Sequence, residues 1–196
     1  NTIILNGSPK GNSKQSNSRI FAEQFVSRMH APCEIKCIAG NDPQELADYV
    51  AGFDTILIIL PLYIHAMPGI VMKFIEELQP APSAPSMASE EKSIGFIVQA
   101  GFMETAQHKY VEPYFRQLAA QLNYRYLGTV SKGEAAGIYM YPQMFKKVLR
   151  RVSELGAAYE RTHSVDAEIG KKLAKPYKIS AFQLRLLGIV DKVGLS

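Results

Sequence analysis

The chain has 196 residues, of which 47% are hydrophobic and 20% charged, so it is long and apolar enough to fold around one core. This balance excludes an intrinsically disordered chain. A net charge of +4 and a pI near 9.0 favour anionic small-molecule ligands and give little support for nucleic-acid binding. The apolar runs fall short of the ~20 residues that a membrane-spanning helix needs, and no signal peptide opens the chain. We therefore expect a cytoplasmic protein.

Apolar strand patterns alternate with amphipathic helix patterns through most of the chain. The predicted strands cover residues 2–6, 33–38, 55–60, about 93–99 and about 125–131. The predicted helices cover about 17–30, 43–53, a stretch that follows Pro68, about 105–122 and about 142–161. Five strands that are each followed by a helix predict a parallel sheet with right-handed crossovers and helices on both faces.

The stretch between the first strand and the first helix, Asn6–Ser18, is rich in hydroxyl, amide and ammonium donors. Its last three residues are all good N-cap residues. A helix N-terminus offers unpaired N–H groups and the positive end of the helix dipole, which favour a bound phosphate. The glycine motifs of dinucleotide-binding and nucleotide-hydrolysing loops are absent. The pattern predicts a cradle for a phosphate monoester, and a solvated turn before an ordinary helix remains the alternative.

A second informative stretch, Pro61–Lys73, leaves the continuously apolar third strand. Its Pro, Tyr and Met residues predict a stiff apolar shelf that suits one face of a flat heterocycle. Taken alone, a structural turn that packs Tyr63 on a neighbouring loop is the simpler interpretation. In a parallel sheet, however, the loops that follow the strands share one edge, so the shelf and the cradle are expected to meet.

Together these motifs resemble the flavodoxin-like NAD(P)H-dependent FMN reductases. The resemblance spans roughly residues 2–160 and is carried by Gly7–Lys10, Ser16–Ser18, Pro61–Tyr63, Met67–Gly69, Gln99–Phe102 and Lys132–Ile138. It implies a doubly wound, five-stranded parallel sheet with strand order 2-1-3-4-5. The FMN-binding domain would cover residues 1–162, with residues 163–196 as a helical C-terminal extension of the same domain.

The resemblance also implies which residues bind the cofactor. Five match the phosphate-binding positions of the family: Ser8, Lys10, Ser16, Asn17 and Ser18. Others match the segments on either side of the flavin ring: Pro61, Leu62, Tyr63 and Ile64 on one side, and Gln99, Gly101 and Phe102 on the other. His65 either reaches the flavin edge or a substrate, or is an exposed loop histidine. No dedicated catalytic side chain is expected, because the flavin carries the chemistry.

The implied activity is hydride transfer from NADH or NADPH, through FMN, to a small acceptor such as a quinone, a nitroaromatic, an azo compound or a flavin. One open ring face, shared in turn by the nicotinamide and the acceptor, predicts ping-pong kinetics. The competing hypothesis is a flavodoxin-type electron carrier that does not oxidise NAD(P)H itself. Such carriers tend to be shorter and acidic, whereas this chain has a pI near 9.0.

Neither a metal site nor a disulfide is expected. Three of the histidines, His30, His108 and His163, are scattered along the sequence. Cys33 and Cys37 fall on one face of a predicted strand about 13 Å apart, which is too far for a disulfide. We expect both thiols to pack in the core.

The C-terminal residues carry an apolar stripe at helical spacing, formed by Phe182, Leu186, Ile189, Val190 and Val193. The stripe predicts a homodimer interface. Lys178, Arg185 and Lys192 are interspersed with it, so a helix on a membrane surface is an alternative. A helix packed on its own domain is a second alternative.

Overall fold

We describe a computed structural model of the chain over residues 1–63, 66–79, 92–101 and 110–176. Its strands are β1 (Thr2–Asn6), β2 (Glu34–Cys37), β3 (Thr55–Pro61), β4 (Ser93–Gln99) and β5 (Arg125–Lys132). The helices of these segments are α1 (Asn17–Val26), α2 (Pro43–Val50), α3 (Gly69–Glu77), α4 (Val111–Gln121), α5 (Lys146–Thr162) and α6 (Ala167–Ala174). All strand pairs are parallel, in the order β2-β1-β3-β4-β5, which confirms the predicted doubly wound sheet.

The strand predictions hold to within one residue at each end, whereas α1 and α2 are shorter than predicted. α1 ends at Val26 rather than near residue 30, because the amide and the hydroxyl of Ser27 both bond the Gln24 carbonyl and close the last turn. α2 ends at Val50 rather than at residue 53. The fifth predicted helix begins as a 3₁₀ turn over Pro142–Phe145 before it becomes α5. The predicted start of the fourth helix lies outside the described residues.

Two apolar layers sandwich the sheet. α2, α3 and α4 cover one face, and α1 and α5 cover the other. β3 lies in the middle of the sheet and alternates between the layers, with Ile56 and Ile58 on one side and Leu57 and Ile59 on the other. This arrangement explains why its sequence is continuously apolar rather than alternating. Residues beyond α5 pack on the same unit, since Val165 and Leu173 belong to the second layer. No helix in the described segments is long and apolar enough to cross a membrane.

The contact between α1 and α5 depends on a glycine. A Cβ added to Gly156 of α5 would lie 1.8 Å from the carbonyl oxygen of Phe25 in α1. The two helices therefore approach more closely than any side chain allows at this position. This contact sets the spacing between α5 and α1, the helix that begins at the predicted phosphate cradle.

We expect Gly156→Ala to destabilise the protein by about 1–3 kcal/mol or more, because the helices must separate to admit a methyl group. The matched control is Gly69→Ala at the start of α3, where nothing lies within 4 Å of the added Cβ. Urea unfolding followed by circular dichroism measures both variants. Equal stabilities for the two would contradict the close-contact explanation.

Candidate functional site

The loops at the carboxyl edge of the sheet are joined by backbone hydrogen bonds. Leu62 N, after β3, donates to Gln99 O at 2.8 Å, and Ala100 N, after β4, donates to Lys132 O at 2.9 Å. Ala135 N, after β5, returns a bond of 2.9 Å to Ala100 O. The three loops therefore continue the sheet past its last regular pairs and form a rigid edge.

The loop that follows β1 is a chain of tight turns. Gly11 N donates to Ser8 O at 2.9 Å, Ser13 N to Lys10 O at 3.0 Å, and Ser16 N to Ser13 O at 3.0 Å. Gly11 has a φ of 52°, which glycine adopts without strain.

Gly7 opens this loop against the β3–α3 region. An added Cβ there would lie 2.9 Å from atoms of both Leu60 and Val71. The Gly7 amide donates to Ile59 O at 2.8 Å, so the loop starts in close contact with the central strand.

Two buried side chains support this loop from beneath. Asn6, the last residue of β1, accepts a bond from Ser8 N at 3.0 Å and donates to Gly11 O at 2.9 Å. Cys37, the last residue of β2, donates from Sγ to the Asn12 side-chain oxygen at 2.9 Å. Burial raises the pKa of the Cys37 thiol, so the sulfur keeps its donor proton at neutral pH. Hydrogen bonds from the ends of β1 and β2 thus hold the loop in shape.

The first turn of α1 is held from two sides. The hydroxyl of Ser16, the N-cap, accepts from Arg19 N at 3.2 Å. Asn17 reaches across to the loop after β5, donating to Ala135 O at 2.7 Å and accepting from Tyr139 N at 3.0 Å. The buried Ser18 hydroxyl accepts from the Gln99 amide of β4 at 3.3 Å.

The start of α1 offers free donors. Within the segments that the structure covers, no hydrogen bond is formed by the backbone amides of Asn17 and Ser18, the first two of the helix. Lys10 lies beside them in the loop, with Nζ 3.5 Å from Gln15 O and 5.1 Å from the centre of the Tyr139 ring. Free amides, the positive end of a helix dipole and an ammonium group together favour an anion.

The predicted shelf is next to this cradle. Pro61 is paired with Gln99 in the sheet, and Leu62 is buried after it. Tyr63 is 51% exposed, and its backbone forms reciprocal hydrogen bonds with Ala66 at 2.9 and 3.1 Å. Gln99 is paired with Pro61 of the shelf and donates a hydrogen bond to Ser18 of the cradle, so the shelf and the cradle are adjacent. Gly101 is exposed at the same edge.

Three predicted site residues cannot be placed. Ile64, His65 and Phe102 lie outside the described residues. The other ten predicted cofactor residues, from Ser8 to Gly101, all lie at the carboxyl edge.

A buried lysine at this edge was not predicted as a site residue. The side chain of Lys132, the last residue of β5, is 1% exposed, and its Nζ donates to Lys175 O at 3.1 Å. Burial lowers the pKa of this ammonium, and the Glu134 carboxylate, 3.6 Å away, opposes that shift. The bond to Lys175 holds the chain that follows α6 against the end of β5.

Asn6, Cys37 and Lys132 share a signal that the sequence does contain. Each is a polar or polarisable residue at the last position of a strand, where a side chain reaches past the sheet into the loops. Their partners, in contrast, depend on the order of the strands and on loop geometry. Sequence spacing therefore marks these positions without revealing what they bind.

Comparisons with known proteins address the fold. Neither a protein-family model nor a curated protein sequence matches the chain. Among solved structures, an NADPH-quinone reductase from P. pentosaceus is 16% identical with a TM-score of 0.57, covering 78% of this chain and 95% of its own. An FMN-dependent NADH-azoreductase from Bacillus anthracis in complex with FMN is 15% identical with a TM-score of 0.52, covering 81% and 98%.

A third structure is the general stress protein 14 from Treponema denticola in complex with FMN. It is 13% identical with a TM-score of 0.59, and the match covers 82% of this chain and 97% of that one. The chain has the flavodoxin-like fold. At these identities the likeness establishes the architecture, and function has to be argued from the site.

We expect Asn17→Ala to release the loop after β5 from α1 and to cost about 1–3 kcal/mol, because two hydrogen bonds are lost. Hydrogen exchange of the Tyr139 amide should accelerate. Asn17→Asp is the matched variant, since it keeps the acceptor for Tyr139 N and loses only the donor to Ala135 O. Exchange at Tyr139 should stay slow in Asn17→Asp, and equal acceleration in both variants would contradict this assignment.

Proposed function

We propose that the protein is an FMN-dependent oxidoreductase that transfers hydride from NADH or NADPH to a small acceptor. The start of α1 carries this proposal. Two free backbone amides lie at this helix start, and the Lys10 ammonium lies in the loop before it. Hydrogen bonds from Asn6 and Cys37 hold that loop in shape. Such a preorganised cradle fits a dianionic phosphate monoester, since charge-assisted bonds form without reordering the loop.

The residues of the cradle take different roles in this proposal. Asn17 and Ser18 would donate from their backbone amides, because the Asn17 side chain is engaged by Ala135 and Tyr139. Lys10 would supply the charge, as its side chain lies at the exposed mouth of the loop. Ser8 and Ser16 hold the turns and the helix cap. The donor set therefore suits the phosphate of FMN and offers nothing comparable to riboflavin.

The shelf would orient the flavin ring. Pro61 and Leu62 provide a rigid buried base, and the exposed Tyr63 ring is free to pack on a flat ligand. Held there, FMN would supply the hydride chemistry that links a reduced nicotinamide to an acceptor. The protein's contribution is to hold the reacting groups in the correct relative position, because small displacements strongly affect the reaction rate.

The names of the structural neighbours support this kind of reaction. They include a quinone reductase named for NADPH and an azoreductase named for NADH and FMN. We infer a small acceptor of the quinone, nitroaromatic, azo or flavin class and ping-pong kinetics. A flavodoxin-type electron carrier is the alternative, and the basic charge of this chain is unlike that of the acidic carriers.

The first test concerns the phosphate. We expect FMN to bind more tightly than riboflavin by about tenfold or more, since riboflavin lacks the group that the cradle recognises. Lys10→Ala should weaken FMN binding and leave riboflavin binding nearly unchanged. Arg28→Ala, which removes the same charge from an exposed site beyond the far end of α1, is the control. Fluorescence titration measures the affinities of the three proteins for both flavins, and equal affinity of the wild type for the two flavins would reject the cradle.

The second test concerns the reaction. Under anaerobic conditions NADH or NADPH should bleach the bound flavin, and a quinone or nitroaromatic should restore its colour. Tyr63→Ala should slow bleaching about tenfold or more through misplacement of the ring, whereas Tyr63→Phe, which keeps the aromatic face, should remain close to wild type. Stopped-flow absorbance gives the rates. Bleaching by dithionite but by neither nicotinamide would favour the electron carrier.

The homodimer remains a prediction, because the apolar stripe that suggests it lies outside the described residues. Light scattering at micromolar concentration tests it directly. A monomer under those conditions would contradict it.

A further inference from the structure

The positive charge of this protein is concentrated in one part of the chain. Residues 142–196 carry 11 Lys and Arg against five Asp and Glu, a net charge of +6. Residues 1–141 carry 11 against 13, a net charge of −2. The overall charge of +4 therefore arises entirely from residues 142–196. Positive charge concentrated in this way indicates a surface that binds an anionic partner.

The structure gathers much of this charge on one surface, which we call the basic face. It is formed by the first two turns of α5 and the end of α6, and its members are Lys146, Lys147, Arg150, Arg151, Lys171, Lys172 and Lys175. All are exposed except Arg151, which is half-buried. Among the described residues two carboxylates pair with it, Glu154 with Arg150 at 3.5 Å and Glu168 with Lys171 at 2.7 Å.

Two hydrogen bonds make the basic face a single fixed surface. Arg151 donates from its guanidinium to Lys172 O, which joins α5 to α6. Lys132 donates from its buried Nζ to Lys175 O, which holds the end of α6 against β5. The cations are thus presented by a rigid scaffold rather than by a loose tail. Residues 177–196 follow directly from this surface.

The C-terminal sequence adds an apolar component to the charge. Its stripe consists of Leu186, Ile189, Val190 and Val193 together with Phe182, and Lys178, Arg185 and Lys192 are interspersed with it. Basic residues combined with aliphatic ones at helical spacing are typical of segments that lie in the plane of a membrane surface. Four of the five apolar residues are aliphatic, so they are suited to acyl chains rather than to stacking on bases.

We propose that the basic face docks this protein on anionic phospholipid bilayers. Each Lys or Arg held near such a surface gains favourable energy that salt screens. The attachment is peripheral and needs no spanning helix. The candidate flavin site lies beside this face, because Lys132 joins β5 to the end of α6. Docking would therefore bring the site close to acceptors dissolved in the membrane.

The test uses full-length protein and two kinds of extruded vesicle: phosphatidylcholine alone, and phosphatidylcholine with about a third phosphatidylglycerol. Co-sedimentation should show binding to the anionic vesicles and none to the neutral ones. Binding should weaken steeply between about 0.1 M and about 0.5 M NaCl. Circular dichroism confirms that each variant is folded before it is tested.

The decisive variant combines Lys146→Gln, Lys147→Gln and Lys172→Gln, all outside the candidate flavin site. Its affinity for anionic vesicles should fall about tenfold or more. The matched control combines Arg28→Gln, Lys73→Gln and Arg125→Gln, which removes the same charge from exposed positions elsewhere and should stay within about twofold of wild type.

Several results would overturn the proposal. One is the absence of wild-type binding to anionic vesicles. Another is an equal loss in the two triple variants, which would reduce the effect to net charge. A third is stronger binding to single-stranded RNA or to polyglutamate than to vesicles in direct competition, which would assign the face to a nucleic acid or an acidic protein. None of these readouts involves flavin, so the proposed activity is tested separately.

Discussion

The candidate site depends on how the first turn of α1 is fixed. Asn17 joins the loop after β1 to the loop after β5, although these residues are 118 to 122 positions apart in sequence. Ser18 joins the same turn to β4 through Gln99. Because one helix start bonds two distant parts of the chain, the free amides at its tip are held at a fixed place relative to the sheet. A site for a rigid, charged ligand requires such fixation, since a mobile donor set would lose binding energy to ordering.

Close packing of α1 and of the loop after β1 serves the same end. Gly156 lets α5 approach the backbone of α1, and Gly7 lets the loop after β1 approach β3 and α3. At both positions a side chain would displace the helix or the loop. The position of the cradle is therefore set by two close approaches as well as by hydrogen bonds, and small changes in packing would be transmitted to the ligand.

Much of the fold could be predicted from the sequence, because its signals are local. β3 was recognisable as a central strand from its unbroken apolar run, and the start of α1 as lying within Ser16–Ser18 from three N-cap residues before an amphipathic helix. The helix ends were less predictable. α1 stops at Val26 because Ser27 closes on Gln24, a competition between side chain and backbone that apolar periodicity does not register.

The site was predicted in outline and not in its connections. The sequence motifs marked the loop after β1, yet the role of Asn17 as a link to Tyr139 depends on a contact between residues 122 positions apart in the chain. Lys132 was predicted only as part of a motif. In the structure its buried ammonium donates a hydrogen bond to the Lys175 carbonyl. Such pairings follow from the strand order and the return of α6, so they need the folded structure.

The two cysteines have a chemical consequence for a protein that is proposed to reduce quinones and related acceptors. Burial raises the pKa of Cys33 to about 11, and it also raises that of Cys37. Only about one Cys33 thiol in ten thousand would be ionised at pH 7, and the thiolate is the form that attacks electrophiles. Quinones alkylate thiolates readily. A fold that keeps both sulfurs protonated is thereby protected against covalent inactivation by the class of molecule it is proposed to reduce.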